Sequence, residues 1–136
     1  MANPKRSEGI IGKTVLKFKV KTESPKVTIL LSNDKSEQYK VGYDAANNQF
    51  FSDRRQAGKS DFSQKFASII HVAPRHSNSE IIELVVYFDV ASAELFADKG
   101  WTVMTDIFFP NEDFNELSLV VENGTIDLLN GEIYWY

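Results

Sequence analysis

Residues 13–21 have the sequence KTVLKFKVK, in which apolar and basic side chains alternate. Alternation with a period of two places successive side chains on opposite faces of a β-strand. Leu16, Phe18 and Val20 then share one face, and three lysines share the other. The stretch therefore predicts a strand with one face in a hydrophobic core and the other in water.

Short apolar or alternating runs of the same kind recur along the chain, and turn-forming residues bound each of them. Strands are predicted at 13–21, 27–31, 37–43, 49–53, 80–89, 93–97, 101–108, 117–122 and 125–129. Residues 60–70 are expected to form a loop or one short turn, because their apolar residues make no helical stripe. So many short strands predict an all-β fold, a sandwich of two antiparallel sheets, with a closed barrel as the alternative.

Three glycine-containing segments carry turn signals. Asp98-Lys99-Gly100 is expected to form a tight turn in which Gly100 has a structural role by supplying a positive φ. Asn123-Gly124 predicts a two-residue hairpin, which we prefer to reading Asn123-Gly124-Thr125 as an N-glycosylation acceptor. Asn130-Gly131 indicates either a second hairpin or a bulge within one long strand that continues towards Tyr136.

The composition indicates one globular domain. The chain has 136 residues, of which 43% are hydrophobic and 25% charged, so it can form its own core. We expect 1–12 to be an N-terminal extension or added leader, without the apolar segment of a signal peptide or membrane anchor, and 13–136 to be a single domain. The absence of cysteine excludes disulfides, thiolate metal sites and a cysteine nucleophile. A net charge of −4, from 15 basic and 19 acidic residues, argues against nucleic acid as a partner.

Four acidic residues occur at predicted strand ends and turns: Asp89, Glu94, Asp98 and Asp106. Carboxylate catalysis needs an acid and a base or nucleophile that face each other across a substrate-sized gap. Turns and strand ends are the ordinary positions of solvated acids, so we prefer a structural interpretation. Glu94 lies between two apolar residues and is expected to pair with a buried arginine.

No other catalytic or metal-binding pattern occurs. His71 and His76 would need a third ligand from elsewhere to hold zinc, so we interpret them as ordinary loop or edge-strand residues. The chain has neither a Gly-x-Ser-x-Gly elbow nor a glycine-rich phosphate loop. The sequence therefore predicts no catalytic residue, no metal and no cofactor.

Two polar or aromatic features suggest binding or structural roles. Asp53 and Arg54 are expected to be structural, in an arginine–carboxylate pair that fixes a loop, while Arg55 alternatively contacts a sugar hydroxyl. Trp101 lies beside a turn, where its flat face can stack on a sugar ring. The alternative is a core position, and a purely structural interaction domain would bury both Trp101 and Trp135 and expose a large apolar patch.

Seven segments in order along the chain resemble the successive motifs of one family. They are VGYD at 41–44, FFSDRR at 50–55 with Gly58, DFS at 61–63, HVAP at 71–74, FDVASAELFADKG at 88–100, VMT at 103–105 and IFFP at 107–110. From about Leu16 onwards, the chain resembles the C-terminal β-sandwich domain of glycoside hydrolase family 32, the β-fructosidases that include levanases, inulinases and invertases. The resemblance implies two antiparallel sheets, of the concanavalin-like jelly-roll type, and a last strand without a hairpin, which favours the bulge at Asn130-Gly131.

In the family that the chain resembles, catalysis belongs to an N-terminal five-bladed propeller with an Asn-Asp-Pro aspartate and a Glu-Cys glutamate. This chain has Asn3-Pro4 without the aspartate, and it has no cysteine. The resemblance therefore implies a non-catalytic accessory domain that supports a propeller of the same parent chain or of a neighbouring subunit, and that helps bind fructan. A free-standing carbohydrate-binding module is the alternative. The chain leaves its compartment open, whereas the resemblance implies a parent that is secreted or periplasmic.

Overall fold

The computed structural model describes residues 14–22, 26–58, 70–122 and 124–135. Ten strands account for most of them: β1 (Thr14–Thr22), β2 (Lys26–Ser32), β3 (Gln38–Asp44), β4 (Gln49–Gln56), β5 (His71–Pro74), β6 (Ile81–Asp89), β7 (Ser92–Ala97), β8 (Thr102–Ile107), β9 (Glu116–Glu122) and β10 (Ile126–Trp135). The helical structure in these ranges is a 3-10 turn at Asp98–Gly100. No helix of the described ranges has the length and apolar character to cross a membrane.

The strands form two five-stranded antiparallel sheets, which confirms the predicted sandwich. Sheet 1 has the order β10-β1-β6-β7-β8, and sheet 2 has the order β5-β4-β3-β2-β9. The alternating stretch at residues 13–21 corresponds to β1, which pairs with β10 on one side and β6 on the other. Leu16, Phe18 and Val20 are buried, whereas the lysines between them are exposed.

The core lies between the two sheets and is built from the inward-facing residue of each alternating pair. Phe50, Leu84, Val86 and Phe88 are completely buried. Burial of each such side chain contributes about 1.5–3 kcal/mol relative to an exposed one. Tyr39 of β3 and Phe108, which follows β8, have ring centroids 4.7 Å apart, so aromatic packing joins the two sheets.

One strand, β5, was not predicted from the sequence. It has four residues and, among the described strands, pairs with β4 alone at the edge of sheet 2. Proline is tolerated at sheet edges, and Pro74 ends this strand. A strand of this length shows too few alternations to be recognised. Its edge position also buries little of either face, so its two faces differ little in polarity.

The predicted hairpin at Asn123-Gly124 is wrong. β9, which precedes it, belongs to sheet 2, and β10, which follows it, belongs to sheet 1. The chain therefore crosses from one sheet to the other here instead of pairing the flanking strands. Asn123 itself lies outside the described residues, as do residues 60–69 of the predicted loop.

β10 continues through Asn130-Gly131 as one strand with a bulge, as predicted, but the extra residue lies just before the predicted pair. Along its pairing with β1, Lys19 faces Asn130 whereas Val20 faces Leu128, so Leu129 is the extra residue. A bulge of this kind bends the strand and re-aims a side chain. Leu129 accordingly lies 52% exposed on the surface of sheet 1.

The sandwich has two ends, which we call proximal and distal. β1 begins at the proximal end with Thr14, which faces Phe88 of β6. The β6–β7 turn at Val90 and the last residue of β8, Ile107, lie at this same end. The distal end carries the turn at Asp98–Gly100 and the loop between β5 and β6.

Candidate functional site

Arg54 of β4 joins the two sheets at the proximal end. Its guanidinium Nη1 donates a hydrogen bond to the carbonyl oxygen of Ile107, the last residue of β8, at 2.9 Å. Arginine suits this position because its long stem spans the gap between the sheets while its planar head stays polar. Arg54 therefore has a structural contact with a backbone carbonyl across the sandwich.

Gly58 lies against the segment that follows β8. Its φ is +125°, and a Cβ added to it would lie 2.0 Å from the carbonyl oxygen of Phe109. Both the backbone angle and the close approach exclude a side chain here. The segment after β4 and the segment after β8 are thus in direct backbone contact at the proximal end.

Glu37 fixes a third segment at this end. Its carboxylate accepts hydrogen bonds from the backbone N–H and the Nδ2 of Asn111, at 2.7 and 2.8 Å, and from the Nδ2 of Asn33, at 3.1 Å. Burial raises the pKa of Glu37, but the hydrogen bonds from the two asparagines outweigh it, and the pKa lies below its usual value. The β2–β3 hairpin is therefore tied to the connection between β8 and β9.

Apolar side chains are exposed on this rigid end. Val90 is 44% exposed, Ile107 50% and Phe109 42%. Val90 follows β6 and Ile107 ends β8, and the N–H of Phe108 bonds to the carbonyl of Ala91 at 3.0 Å, so the two segments are adjacent. Single exposed apolar residues are ordinary, whereas large contiguous apolar patches mark interaction sites. We call Val90, Ile107 and Phe109 the proximal patch.

The distal end is fixed by a buried ion pair between Arg75 and Asp98. The Nε of Arg75 donates to Oδ2 of Asp98 at 2.9 Å, and the two side chains are only 6% and 8% exposed. This corrects the expectation for Glu94, which is exposed on the outer face of β7. Because side chains alternate along a strand, the inward directions of Ala93 and Leu95 place Glu94 outside.

Asp53 and Arg55 form an ion pair within β4. Nε and Nη2 of Arg55 donate to the two carboxylate oxygens of Asp53 at 2.9 and 2.8 Å. The Arg55 hydrogen bonds lower the pKa of Asp53, against the opposing effect of partial burial. Residues two apart on a strand share one face, so the pair lies along the outer surface of sheet 2 and does not join a loop to the sandwich.

Trp101 is 66% exposed and lies directly after the turn at Asp98–Gly100. Lys99 and Gly100 both have a positive φ there, 61° and 90°, so the turn projects its last residues from the sheet. This exposure contradicts the hypothesis of a structural domain with both tryptophans buried, as far as Trp101 is concerned. The side chain of Trp135 lies outside the described residues.

A polar cluster that was not predicted from the sequence lies inside the sandwich. Asp106 is 4% exposed, and its carboxylate contacts Nδ1 of His71 at 3.0 Å and the hydroxyl of Tyr39 at 3.3 Å. Burial, followed by the charge of Asp106, holds the pKa of Tyr39 well above its usual value. The available signal was alternation, because Asp106 is two residues from Phe108 and shares its inward direction.

The polar cluster does not form a hydrolytic site. Ser52 faces His71 between β4 and β5, but its Oγ is buried and makes no hydrogen bond to the imidazole. A serine nucleophile needs that hydrogen bond for activation, together with access to substrate. Among the described residues, no group of three or more His, Asp and Glu could hold a metal ion. The cluster is best understood as polar contacts that join the two sheets.

Comparison with known protein families identifies the domain. The family model described as "Glycosyl hydrolases family 32 C terminal" matches residues 3–135. This chain belongs to glycoside hydrolase family 32. It corresponds to the C-terminal domain of the family, as the resemblance of its motifs had implied. Two of those motifs, FFSDRR with Gly58 and IFFP, are the segments that Arg54 and Gly58 bring together at the proximal end.

Curated relatives of this family 32 domain include proteins named as an exo-inulinase and a levanase. The extracellular exo-inulinase of Aspergillus awamori is 32% identical over 124 residues, which cover 90% of this chain and 23% of the relative. The levanase of Bacillus sp. strain L7 is 33% identical over 94 residues, 69% of this chain and 10% of the relative. The family 32 domain thus spans about a quarter or less of the length of these relatives.

Solved structures agree on the fold. The crystal structure of the A. awamori exo-inulinase superposes with a TM-score of 0.86 and 26% identity, over 99% of this chain and 26% of that one. A tetrameric galectin from the ball sponge Cinachyrella has a TM-score of 0.69 at 12% identity, over 98% of this chain and 99% of that one. The galectin likeness shows only that the two proteins share a sandwich fold.

Proposed function

We propose that this family 32 domain is a non-catalytic accessory domain of a β-fructosidase, and that it stabilises the catalytic domain of its parent chain. The observation that carries the proposal is the family match over residues 3–135, to a domain that makes up about a quarter of an exo-inulinase. The family resemblance supplies the partner, a five-bladed propeller that holds the catalytic carboxylates.

The geometry of the described acidic residues supports a non-catalytic role. The two most buried carboxylates, Asp98 and Asp106, are engaged by Arg75 and by His71 with Tyr39. Glycoside hydrolysis needs two carboxyl groups on either side of an open, sugar-sized gap. Asp98 is bound by Arg75, and Asp106 is bound by His71 and Tyr39, so neither carboxylate is available as an acid or nucleophile, and we expect the domain alone to hydrolyse no fructan.

The proximal patch is the surface that we assign to the partner. A catalytic domain that precedes this one in a parent chain joins it ahead of Thr14, where β1 begins at the proximal end. The patch offers adjacent apolar side chains on a backbone that Arg54, Gly58 and Glu37 hold rigid. Rigid apolar patches lose little conformational entropy on docking, which favours a stable contact between domains.

A chimera tests the proposal. We would replace the matching C-terminal segment of the A. awamori exo-inulinase with this chain and measure fructose release and thermal unfolding. We expect the chimera to hydrolyse inulin and the chain alone to release no fructose from inulin, levan or sucrose. Fructose release by the chain alone would overturn the proposal.

The same chimera tests the docking surface with a matched pair of substitutions. Val90→Glu places a charge in the proximal patch, and Val72→Glu places one on β5, where Val72 is 55% exposed. We expect Val90→Glu to lower the thermal midpoint of the chimera but not that of the chain alone, because exposed substitutions change stability by only about 0.5 kcal/mol. If Val72→Glu lowers it instead, the partner docks on sheet 2 and the assignment is wrong.

The same relatives support a proposal for the parent protein and its location. Exo-inulinases from Aspergillus awamori and Aspergillus niger are described as extracellular. We therefore extend the proposal to a secreted parent that acts on fructan. Detection of the parent enzyme only in the cell fraction, with none in the medium or periplasm, would contradict this part.

A further inference from the structure

A groove runs beside Trp101 at the distal end of the sandwich. Leu129 of β10 and Trp101, just before β8, lie towards opposite edges of sheet 1, and Lys19 of β1 and Glu83 of β6 lie between them. Ser77 and Ser79 of the loop before β6 complete the lining, together with Ile81, Asp98 and Lys99. Its volume of about 390 Å³ lies within the usual range of small-molecule sites. The indole is exposed to this groove instead of to the core.

The sides of the groove are held in place before any ligand arrives. On the loop side, the N–H of Ser79 bonds to Oγ of Ser77, and the N–H of Ile81 bonds to Oγ of Ser79, both at 3.1 Å. Arg75 then binds the carbonyl of Ile81 at 3.1 Å as well as Asp98 of the turn that carries Trp101. A preformed groove binds with a smaller loss of conformational entropy than a flexible one.

Most charged groups of the groove are already paired. Lys19 lies 4.0 Å from Glu83, and Asp98 binds the buried Arg75, so Lys99 adds one positive charge to the lining. An ionic ligand would compete with these existing pairs for contacts. A neutral ligand rich in hydroxyls can both donate to Glu83 and accept from Lys19. An exposed indole adds a flat surface on which the apolar face of a sugar ring can stack.

A second groove meets the first at Lys99. It lies on the outer face of sheet 1 and is lined by Lys17, Val85, Tyr87, Glu94, Phe96 and Lys99. The rings of Tyr87 and Phe96 pack edge to face, 5.7 Å apart, and Tyr87 is 38% exposed. The two grooves share Lys99 and each contains an aromatic ring, and we call them together the track.

We propose that this track binds a neutral carbohydrate chain, with Trp101 as the stacking surface of its distal half and Tyr87 as that of its other half. The track begins at the end of the sandwich opposite the proximal patch, so both surfaces can be occupied together. The choice of fructan as the first ligand to test rests on the proposed function, but the binding chemistry does not.

Isothermal titration calorimetry of the full 136-residue chain tests the proposal, with inulin and levan oligosaccharides of increasing length. We expect affinity to rise with chain length and to fall at least about tenfold in Trp101→Ala, a change of about 1.4 kcal/mol. Tyr87→Ala is expected to weaken the long oligosaccharides and leave the short ones unchanged. Val72→Ala, on the other sheet, is the matched control and keeps full affinity.

Each outcome decides between the hypotheses. Unchanged binding by Trp101→Ala, or the absence of binding by any neutral oligosaccharide at millimolar concentration, overturns the track and leaves the chimera test unaffected. Binding of maltooligosaccharides but not of fructans keeps the track and contradicts a fructan-degrading parent. Binding of only an anionic polysaccharide such as heparin overturns the charge argument. Urea unfolding of each variant excludes loss of affinity through loss of the fold.

Discussion

Three glycines of this domain allow backbone strain to be separated from steric exclusion. Gly58 has a φ of +125°, and a Cβ would lie 2.0 Å from the carbonyl oxygen of Phe109. Gly100 has a φ of +90° with open space around it, and Gly131 has an ordinary φ and a nearest contact of 3.5 Å to a leucine methyl. Alanine at Gly58 thus introduces both backbone strain and a steric clash, alanine at Gly100 introduces strain alone, and alanine at Gly131 introduces neither.

The expected changes in the free energy of unfolding follow from these contacts. Gly100→Ala forces an alanine into the left-handed region and costs about 1–2 kcal/mol. Gly58→Ala adds the displacement of the Phe109 backbone, and overpacking of this kind costs about 1–3 kcal/mol more. Gly131→Ala is expected to be neutral or to stabilise by about 0.5–1 kcal/mol, because glycine weakens the interior of a strand.

Urea denaturation followed by circular dichroism and tryptophan fluorescence measures all three variants. The predicted order of stability is Gly131→Ala, then Gly100→Ala, then Gly58→Ala, with Gly58→Ala about 2–5 kcal/mol below the wild type. A Gly58→Ala variant as stable as Gly131→Ala would contradict the close approach of Gly58 to Phe109. It would show that the segments after β4 and β8 are not in backbone contact, and that the proximal end is not rigid.

Two further predictions concern charged groups. Arg75→Ala leaves Asp98 buried without its partner and is expected to cost about 3 kcal/mol in the free energy of unfolding by urea. As the control, Lys35→Ala breaks the exposed pair with Glu112 and is expected to change stability by about 0.5 kcal/mol or less. Equal losses in the two variants would show that burial does not strengthen the Arg75–Asp98 pair. Because the pKa of Glu37 is lowered in the fold, its stabilisation is complete above its unfolded pKa and is lost as pH falls through the folded value. Glu37→Gln should therefore flatten the loss of stability on acidification to about pH 3, and a wild-type slope in the variant would show that Glu37 is not the group responsible.

Alternation along the chain predicted most of the sandwich correctly. In β1 and β6 one face is buried and the other is in water, so the period of two appears directly in the sequence. The short edge strand β5 buries little on either side and left no such pattern. Asn123-Gly124 is a genuine turn signal, but a local signal does not specify which sheet receives the next strand.

The site residues were harder to predict than the strands, because their partners are distant in sequence. Arg75 pairs with Asp98, 23 residues away, and Asp106 contacts Tyr39, 67 residues away. The residues near Asp98 and Asp106 in the sequence do not indicate such distant partners. Glu94 could have been placed correctly, since alternation with Ala93 and Leu95 already directs it outward.

Hydrogen–deuterium exchange on the exo-inulinase chimera, with the isolated chain as the reference, tests whether a catalytic domain docks on the proximal patch. If a catalytic domain docks on the proximal patch, peptides that contain Val90 and 107–110 exchange more slowly in the chimera than in the isolated chain. Peptides that contain Trp101 exchange equally in both. Slower exchange confined to the Trp101 turn or to the outer face of sheet 2, with Val90 unchanged, would contradict docking on the proximal patch.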